Sequence, residues 1–213
     1  MNNVVFLGIG SPYPMAWASI EALTEVKKLG CRITASHLSQ SKFKGFPRSY
    51  DLGIALGYLH KIPLEELNKC TWINFHPAPL PDYGGRNVAY HAILNQESHF
   101  GATIHYMNEA FDGGDIIESR KFKVSLGTTA EELYNLACET LLNLLKEYIP
   151  KVLNGENLAS TKQGNSIYYK KESINDFINI EDETKRMIRA LYCPPYYPKI
   201  KIGDKIFVIK EEK

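Results

Sequence analysis

Leu52-Gly53-Ile54-Ala55-Leu56-Gly57-Tyr58, then Pro63 to Asn68, then Thr71-Trp72-Ile73-Asn74-Phe75, is the stretch whose reading decides the fold. The first run is almost wholly apolar, with a glycine near its end, which suits a strand buried on both faces of a parallel sheet. Pro63 opens a short helix at a first-turn position that tolerates proline, and Thr71 begins the next strand. Working outward, Val4 to Ile9 is another buried strand. A helix follows it, with Ser19 as cap, Ile20, Leu23, Val26 and Leu29 at helical spacing, and Gly30 as its stop. Cys31 to Ala35 reads as a second strand and Ser36 to Tyr50 as a loop. Downstream, Val88 to Leu94 is a helix, Thr103 to Met107 and Ile116 to Val124 are strands, and Ala130 to Val152 is a long helix. Its buried face would carry Leu133, Leu136, Ala137, Leu141, Leu144 and Leu145. Strands alternating with helices give an α/β fold with a mostly parallel sheet flanked by helices.

After Gly155 the texture changes to short β segments, at Ser166 to Tyr169 and in a hairpin of Ile200 to Ile202 with Lys205 to Ile209 around Gly203-Asp204. The expected organisation is a catalytic domain over 1–155 and a β-rich extension over 156–213 ending in a small hairpin appendage. The chain of 213 residues fits one main core that buries roughly 70% of its unfolded surface. Apolar residues at 44% and charged residues at 23% argue against disorder, collagen and coiled coil. Basic residues (25) against acidic ones (24) leave +1, so no bulk field points to nucleic acid or an anionic membrane. Cys31, Cys70, Cys138 and Cys193 lie far apart in sequence with no CxxC pair, which reads as reduced thiols. Val4 to Ile9 is too short for a signal peptide or a span, so a cytoplasmic protein is expected.

The chemistry concentrates between residues 72 and 117. Asn74 and His76 are two apart on a strand, so they share one face, at the carboxyl end where ligands sit in open α/β sheets. An amide donor beside a titratable imidazole can polarise a carbonyl and hold the negative charge that grows when a nucleophile adds to it. An aspartate in the glycine-flanked loop Asp112-Gly113-Gly114-Asp115 could orient that imidazole or accept a proton. The trio would suit acyl transfer without a covalent enzyme intermediate. The same residues equally fit a plainer structure in which His76 caps a turn, Asn74 satisfies backbone groups and Asp112 starts a turn.

Asn74-Phe75-His76-Pro77-Ala78-Pro79-Leu80-Pro81, followed by Gly101-Ala102-Thr103-Ile104-His105 and Asp112-Gly113-Gly114, resembles the 10-formyltetrahydrofolate-dependent formyltransferase family. Two separated motifs stand in that family's order and spacing. The resemblance implies a Rossmann-like formyltransferase fold, a metal-free enzyme, and Asn74, His76 and Asp112 as its catalytic trio. It also implies a folate pocket lined by the backbone of Tyr58, Leu59, His60 and Ile62 on one side and of Asn108, Glu109 and Asp112 on the other. His105 matches a recurrent family position and is expected to support rather than catalyse.

The acceptor is expected to be the amine of a nucleotide-linked amino-dideoxysugar. The HPAPLP spelling and the tail Thr184 to Tyr196 resemble the branch that formylates such sugars, whereas the methionyl-tRNA branch carries a larger further domain. Gly10 and Ser11 at the end of the first strand, and Arg86, are the candidate acceptor contacts. Alternatives at this stage are another amine, such as glycinamide ribonucleotide or an aminoacyl carrier, and a non-catalytic folate-binding relic. The stretch before Asp51 is shorter than the family norm, and Tyr83-Gly84-Gly85-Arg86 stands where Tyr-Arg-Gly is frequent. The tyrosine-rich run Tyr192 to Tyr197 suggests a homodimer contact; no nucleic-acid or membrane partner is expected.

Overall fold

The structure, a computed structural model, describes residues 4–9, 16–37, 45–58, 60–125, 128–170, 184–202 and 205–210. The chain runs β1 (Val4–Ile9), α1 (Ala16–Lys28), β2 (Arg32–His37), β3 (Leu52–Leu56), α2 (Leu64–Leu67) and β4 (Thr71–His76). It continues through β5 (Gly84–Gly85), α3 (Val88–Leu94), β6 (His99–Tyr106), β7 (Ile116–Lys123) and α4 (Ala130–Leu153). β8 (Tyr168–Tyr169), α5 (Thr184–Leu191), β9 (Lys199–Ile202) and β10 (Lys205–Val208) complete it. Six strands make one sheet in the order β2-β1-β3-β4-β6-β7, with β2, β1, β3 and β4 parallel and β6 and β7 antiparallel. The α/β architecture expected from the strand and helix pattern is the one observed.

Alternation along the strands divides the sheet into two faces. Leu7, Ile54, Ile73 and Phe75 point to one face, where Ala18, Ala22 and Val26 of α1 and Leu141, Leu144 and Leu145 of α4 close the main core. A side chain as large as Phe75, fully buried, contributes about 2–3 kcal/mol. On the other face Phe6 and Trp72 pack with Tyr50 and Ile62 into an aromatic floor. The polar residues of β4 lie on this second face, beyond the floor.

Two expectations for the first helix do not hold. Ser19 is not its cap but lies inside α1 and is buried, and Ile20 and Leu29 are exposed. The buried stripe is Ala18, Ala22 and Val26, because α1 packs closely against α4 and small side chains let the two helices approach. Of the expected stripe, Val26 is buried and Leu23 packs partly buried on the core, while Ile20 and Leu29 lie off the face that meets α4. Gly30, at φ 73°, does end the helix. In α4, Thr129 and Glu132 form a reciprocal capping box, and the predicted stripe is buried except for Leu136. β6 begins at His99, four residues before the expected start, because β7 pairs with His99 to Ala102, beyond the stretch that faces β4.

The chain after Gly155 returns to the sheet. Thr161 and Ile116 exchange backbone hydrogen bonds of 2.8 Å, β8 pairs with β5, and Ala190 of α5 is buried with Val88, Ala92 and Leu133. β9 and β10 form the expected hairpin, whose turn residues Gly203 and Asp204 lie outside the described residues. Among the described residues no helix is long and apolar enough to cross a membrane.

Gly53 faces Trp72 so closely that a Cβ there would stand 2.1 Å from the indole. Trp72 is buried, and its Nε1 donates to the Glu66 carbonyl at 2.9 Å, so the ring has little freedom to yield. Gly53→Ala is expected to lower stability by about 1–3 kcal/mol, read as a lower urea midpoint; an unchanged midpoint would contradict this packing.

Candidate active site

β4 carries Trp72, Asn74 and His76 on one face, and register sets what stands beside them. Asn74 lies opposite Ala55 of β3 on one side and His105 of β6 on the other, and His76 lies opposite Thr103. The Thr103 hydroxyl donates to the Ala78 carbonyl at 2.9 Å and accepts from the Leu80 amide at 3.0 Å, which ties the proline-rich loop down over β6.

Asp112 reaches this face from the loop after β6, with its backbone at φ 53° in the left-handed region. Its Oδ2 accepts from the Gly85 amide at 2.8 Å, and its Oδ1 accepts from Asn74 Nδ2 at 3.1 Å. His76 Nδ1 stands 3.5 Å from the same Oδ1. Asn74 and His76, neighbours on β4, therefore meet Asp112, more than thirty residues on, at one carboxylate oxygen.

The hydrogen-bond partners decide where the protons sit. The Tyr83 carbonyl can only accept, so His76 Nε2 at 2.6 Å carries a hydrogen, and Nδ1 is the nitrogen that faces Asp112. The Tyr106 carbonyl likewise takes a hydrogen from His105 Nδ1 at 2.8 Å. His105 Nε2 is then a lone pair, and Asn74 Nδ2 donates to it at 3.0 Å. The Asn74 amide is thus turned with its N–H₂ between His105 and Asp112. A carbonyl oxygen arriving in the site meets a donor, for which it competes with Asp112.

His105 is held neutral. Burial, first of all, pushes its pKa down to about 4; Tyr106 and the Asp112 charge oppose the shift, and His76 adds to it. None of the cysteines is an activated nucleophile: burial raises Cys138 to about 12 and Cys70 and Cys193 each to about 11. Among the described residues no group of three His, Cys, Asp or Glu side chains is arranged to hold a metal ion.

The remaining candidates divide by place. Tyr58 lies against Gly8 and, like Met107, packs on the aromatic floor, so the segments after β3 and after β6 border the same space. Ile62 is buried within that floor, while His60 is exposed. Asn108 and Glu109 are exposed; Asn108 accepts from the Ala110 amide at 2.9 Å and braces the loop. Arg86 is partly buried next to Gly85, and its amide donates to the Tyr169 carbonyl at 2.9 Å. Gly10, Ser11 and Leu59 lie outside the described residues.

Sequence reasoning missed the bracing. Gln163 Nε2 donates to the carbonyls of Asp112 (2.9 Å) and Gly114 (2.5 Å), clamping the aspartate loop from a segment about fifty residues away. Tyr169 stacks between His91 (4.0 Å) and Tyr83 (5.5 Å), the residue whose carbonyl orients His76. Gly85, at φ 94°, admits this strand: a Cβ there would lie 2.1 Å from the Tyr169 carbonyl. The glycine pair was the one available signal for a close backbone approach.

A formyl transferase family model matches residues 27–149, more than half of the chain. The chain belongs to that family. A GDP-perosamine N-formyltransferase from Brucella melitensis is 29% identical over 187 residues, spanning 84% of this chain and 72% of the relative. A methionyl-tRNA formyltransferase from Ehrlichia ruminantium is 36% identical over 151 residues, 67% of this chain but 48% of the relative. Among solved structures, an N-formyltransferase from Helicobacter canadensis in complex with folinic acid and dTDP-3-aminofucose superposes with a TM-score of 0.77 at 20% identity. That match covers 96% of this chain and 85% of the other. This formyltransferase thus shares its fold with sugar N-formyltransferases.

The neutral state of His105 has a measurable consequence. An unfolded imidazole titrates near 6.5, so between that value and about 4 the unfolded chain binds a proton that the folded chain refuses. The stability contributed is complete above about pH 6.5 and is lost as pH falls toward 4. The urea midpoint of the wild type is expected to drop across this window, and by less in His105→Gln; equal drops in both proteins would contradict it.

Proposed function

We propose that this formyltransferase moves a formyl group from 10-formyltetrahydrofolate to the amine of a nucleotide-linked amino-dideoxysugar. The observation that carries the reading is the meeting of Asn74, His76 and Asp112 at one carboxylate oxygen, with a donor amide and an imidazole nitrogen side by side. The donor set fits a formamide: one N–H for its oxygen, and a carboxylate for the cation formed by the attacking amine. The folate, when bound, supplies an electrophilic formyl carbon. Its pocket is assigned to the backbone of Tyr58, Leu59, His60 and Ile62 on one side and Asn108, Glu109 and Asp112 on the other.

In this scheme the amine nitrogen bonds to the formyl carbon as the bond from that carbon to folate N10 breaks. One proton leaves the amine and one reaches N10. The Asn74 N–H faces the formyl oxygen as negative charge grows there, an interaction worth about 100- to 1000-fold in rate. The carboxylate of Asp112 receives the proton of the attacking amine, and His76 Nδ1, on the same oxygen, holds or returns it; a positioned acid or base adds about 100- to 10000-fold. Arg86, beside Gly85, is assigned to the acceptor's phosphates, together with Gly10 and Ser11 at the end of β1.

The similarity to the perosamine enzyme favours a sugar amine over the amine of a charged tRNA, as does the chain's balanced charge of +1. The test is mass-spectrometric detection of formylated product with 10-formyltetrahydrofolate and a panel of UDP-, dTDP- and GDP-linked amino-dideoxysugars, beside glycinamide ribonucleotide. A nucleotide sugar heavier by one formyl group is expected; product on glycinamide ribonucleotide alone would overturn the acceptor. His76→Ala and Asp112→Ala are each expected to lose about 100- to 10000-fold in kcat with an unchanged far-ultraviolet spectrum. Near wild-type turnover in either would remove that residue from the mechanism.

A further inference from the structure

β8 is a strand of two tyrosines with opposite fates. Tyr169 points inward and is stacked on both sides, which is sufficient to anchor the segment. Tyr168 points outward and is left 46% exposed, although an aromatic ring contributes most when buried. Its place is specific. A Cβ on Gly84 would stand 3.5 Å from Tyr168 Cδ2 and 3.7 Å from Asp112 Cβ, so ring and catalytic aspartate flank the same glycine. Burial, first of all, and the charge of Asp112 raise the pKa of the Tyr168 hydroxyl, and the charge of Arg86 opposes them. Phe111, 50% exposed, lies beside it with ring centroids 6.4 Å apart, and Ile167 is 55% exposed. An exposed apolar surface with a carboxylate at one edge, and Arg86 held by its amide to the next residue, Tyr169, is the composition of a ligand site.

From these positions, and resting on the sugar-nucleotide reading above, we infer that Tyr168, extended by Phe111, is the platform on which the acceptor's sugar ring lies. The distance to Asp112 selects the sugar rather than the base. An amine on a pyranose is one bond from the ring, whereas the base is removed from it by two phosphates and a ribose. A ring resting on Tyr168 sets its amine at Asp112 and its diphosphate toward Arg86. Dideoxy sugars suit such a platform, since each lost hydroxyl widens the C–H face that an aromatic ring covers.

The experiment is steady-state kinetics of the full chain, varying the sugar nucleotide and the formyl donor in turn. Tyr168→Ala is expected to lower kcat/KM for the sugar nucleotide about tenfold, mainly through KM, with kcat/KM for the folate within about twofold. Tyr168→Phe, which keeps the ring, is expected to recover most of the loss, and Phe111→Ala to give a smaller one. A Tyr168→Ala enzyme that is folded by circular dichroism yet keeps the wild-type KM for the sugar would overturn the platform while leaving the acceptor class intact. A loss confined to the folate would overturn it too, making the ring a wall of the donor pocket. A wild-type enzyme that formylates no nucleotide sugar would instead remove the reading on which the platform rests.

Discussion

Everything at the candidate site depends on one partly buried carboxylate that gathers hydrogen-bond donors from separate parts of the chain. Asp112 accepts from the Gly85 amide on one oxygen and from Asn74 on the other, with His76 Nδ1 3.5 Å from that second oxygen, so β4, β5 and the loop after β6 are joined through a single side chain. A carboxylate taken out of water without such donors would be costly, and hydrogen bonds to an ionised acceptor are roughly twice as strong as neutral ones. The loop accepts a left-handed residue at Asp112 to make this connection, and Gln163 holds its carbonyls from behind.

Beneath that contact the two histidines are separated by what their ring nitrogens face. Both donate to backbone carbonyls, but His76 turns its other nitrogen to a carboxylate and His105 turns its own to an amide. One keeps a ring nitrogen facing the carboxylate, and the other is a buried neutral acceptor that decides which end of Asn74 enters the site. The division of labour comes from register: antiparallel pairing sets His105 opposite Asn74, and Thr103 opposite His76. Aromatic packing on the same face of the sheet, with Trp72 pressed against Gly53, supplies a rigid floor under these polar groups.

The sheet faces divide function from stability in a simple way. One face is filled by α1 and α4 and is apolar throughout; the other is aromatic near the start of β4 and polar near its end. The returning segment from Thr161 to Tyr169 crosses to the polar end, bracing the aspartate loop and the carbonyl that orients His76. Family membership makes formyl transfer the chemistry of this chain, and Asn74, His76 and Asp112 converge on this face.

Much of this was legible in the sequence, where it rested on local periodicity. The strands from Val4 and Leu52 follow from short continuous apolar runs, and the shared face of Asn74 and His76 from a spacing of two, which any folded form of the chain must respect. The motif around His76 and the one ending in Asp112 could also be read together by their resemblance to a family, before any geometry. What periodicity could not supply was anything settled by partners distant in the chain. The stripe of α1 was decided by how closely α4 approaches, and the start of β6 by its pairing with β7. The tautomers of His76 and His105 depended on which carbonyls the fold brings to them, and the parts played by Gln163 and the two tyrosines of β8 on a strand pairing about eighty residues apart. Local pattern states which side chains share a face; only packing and long-range hydrogen bonding state what that face meets.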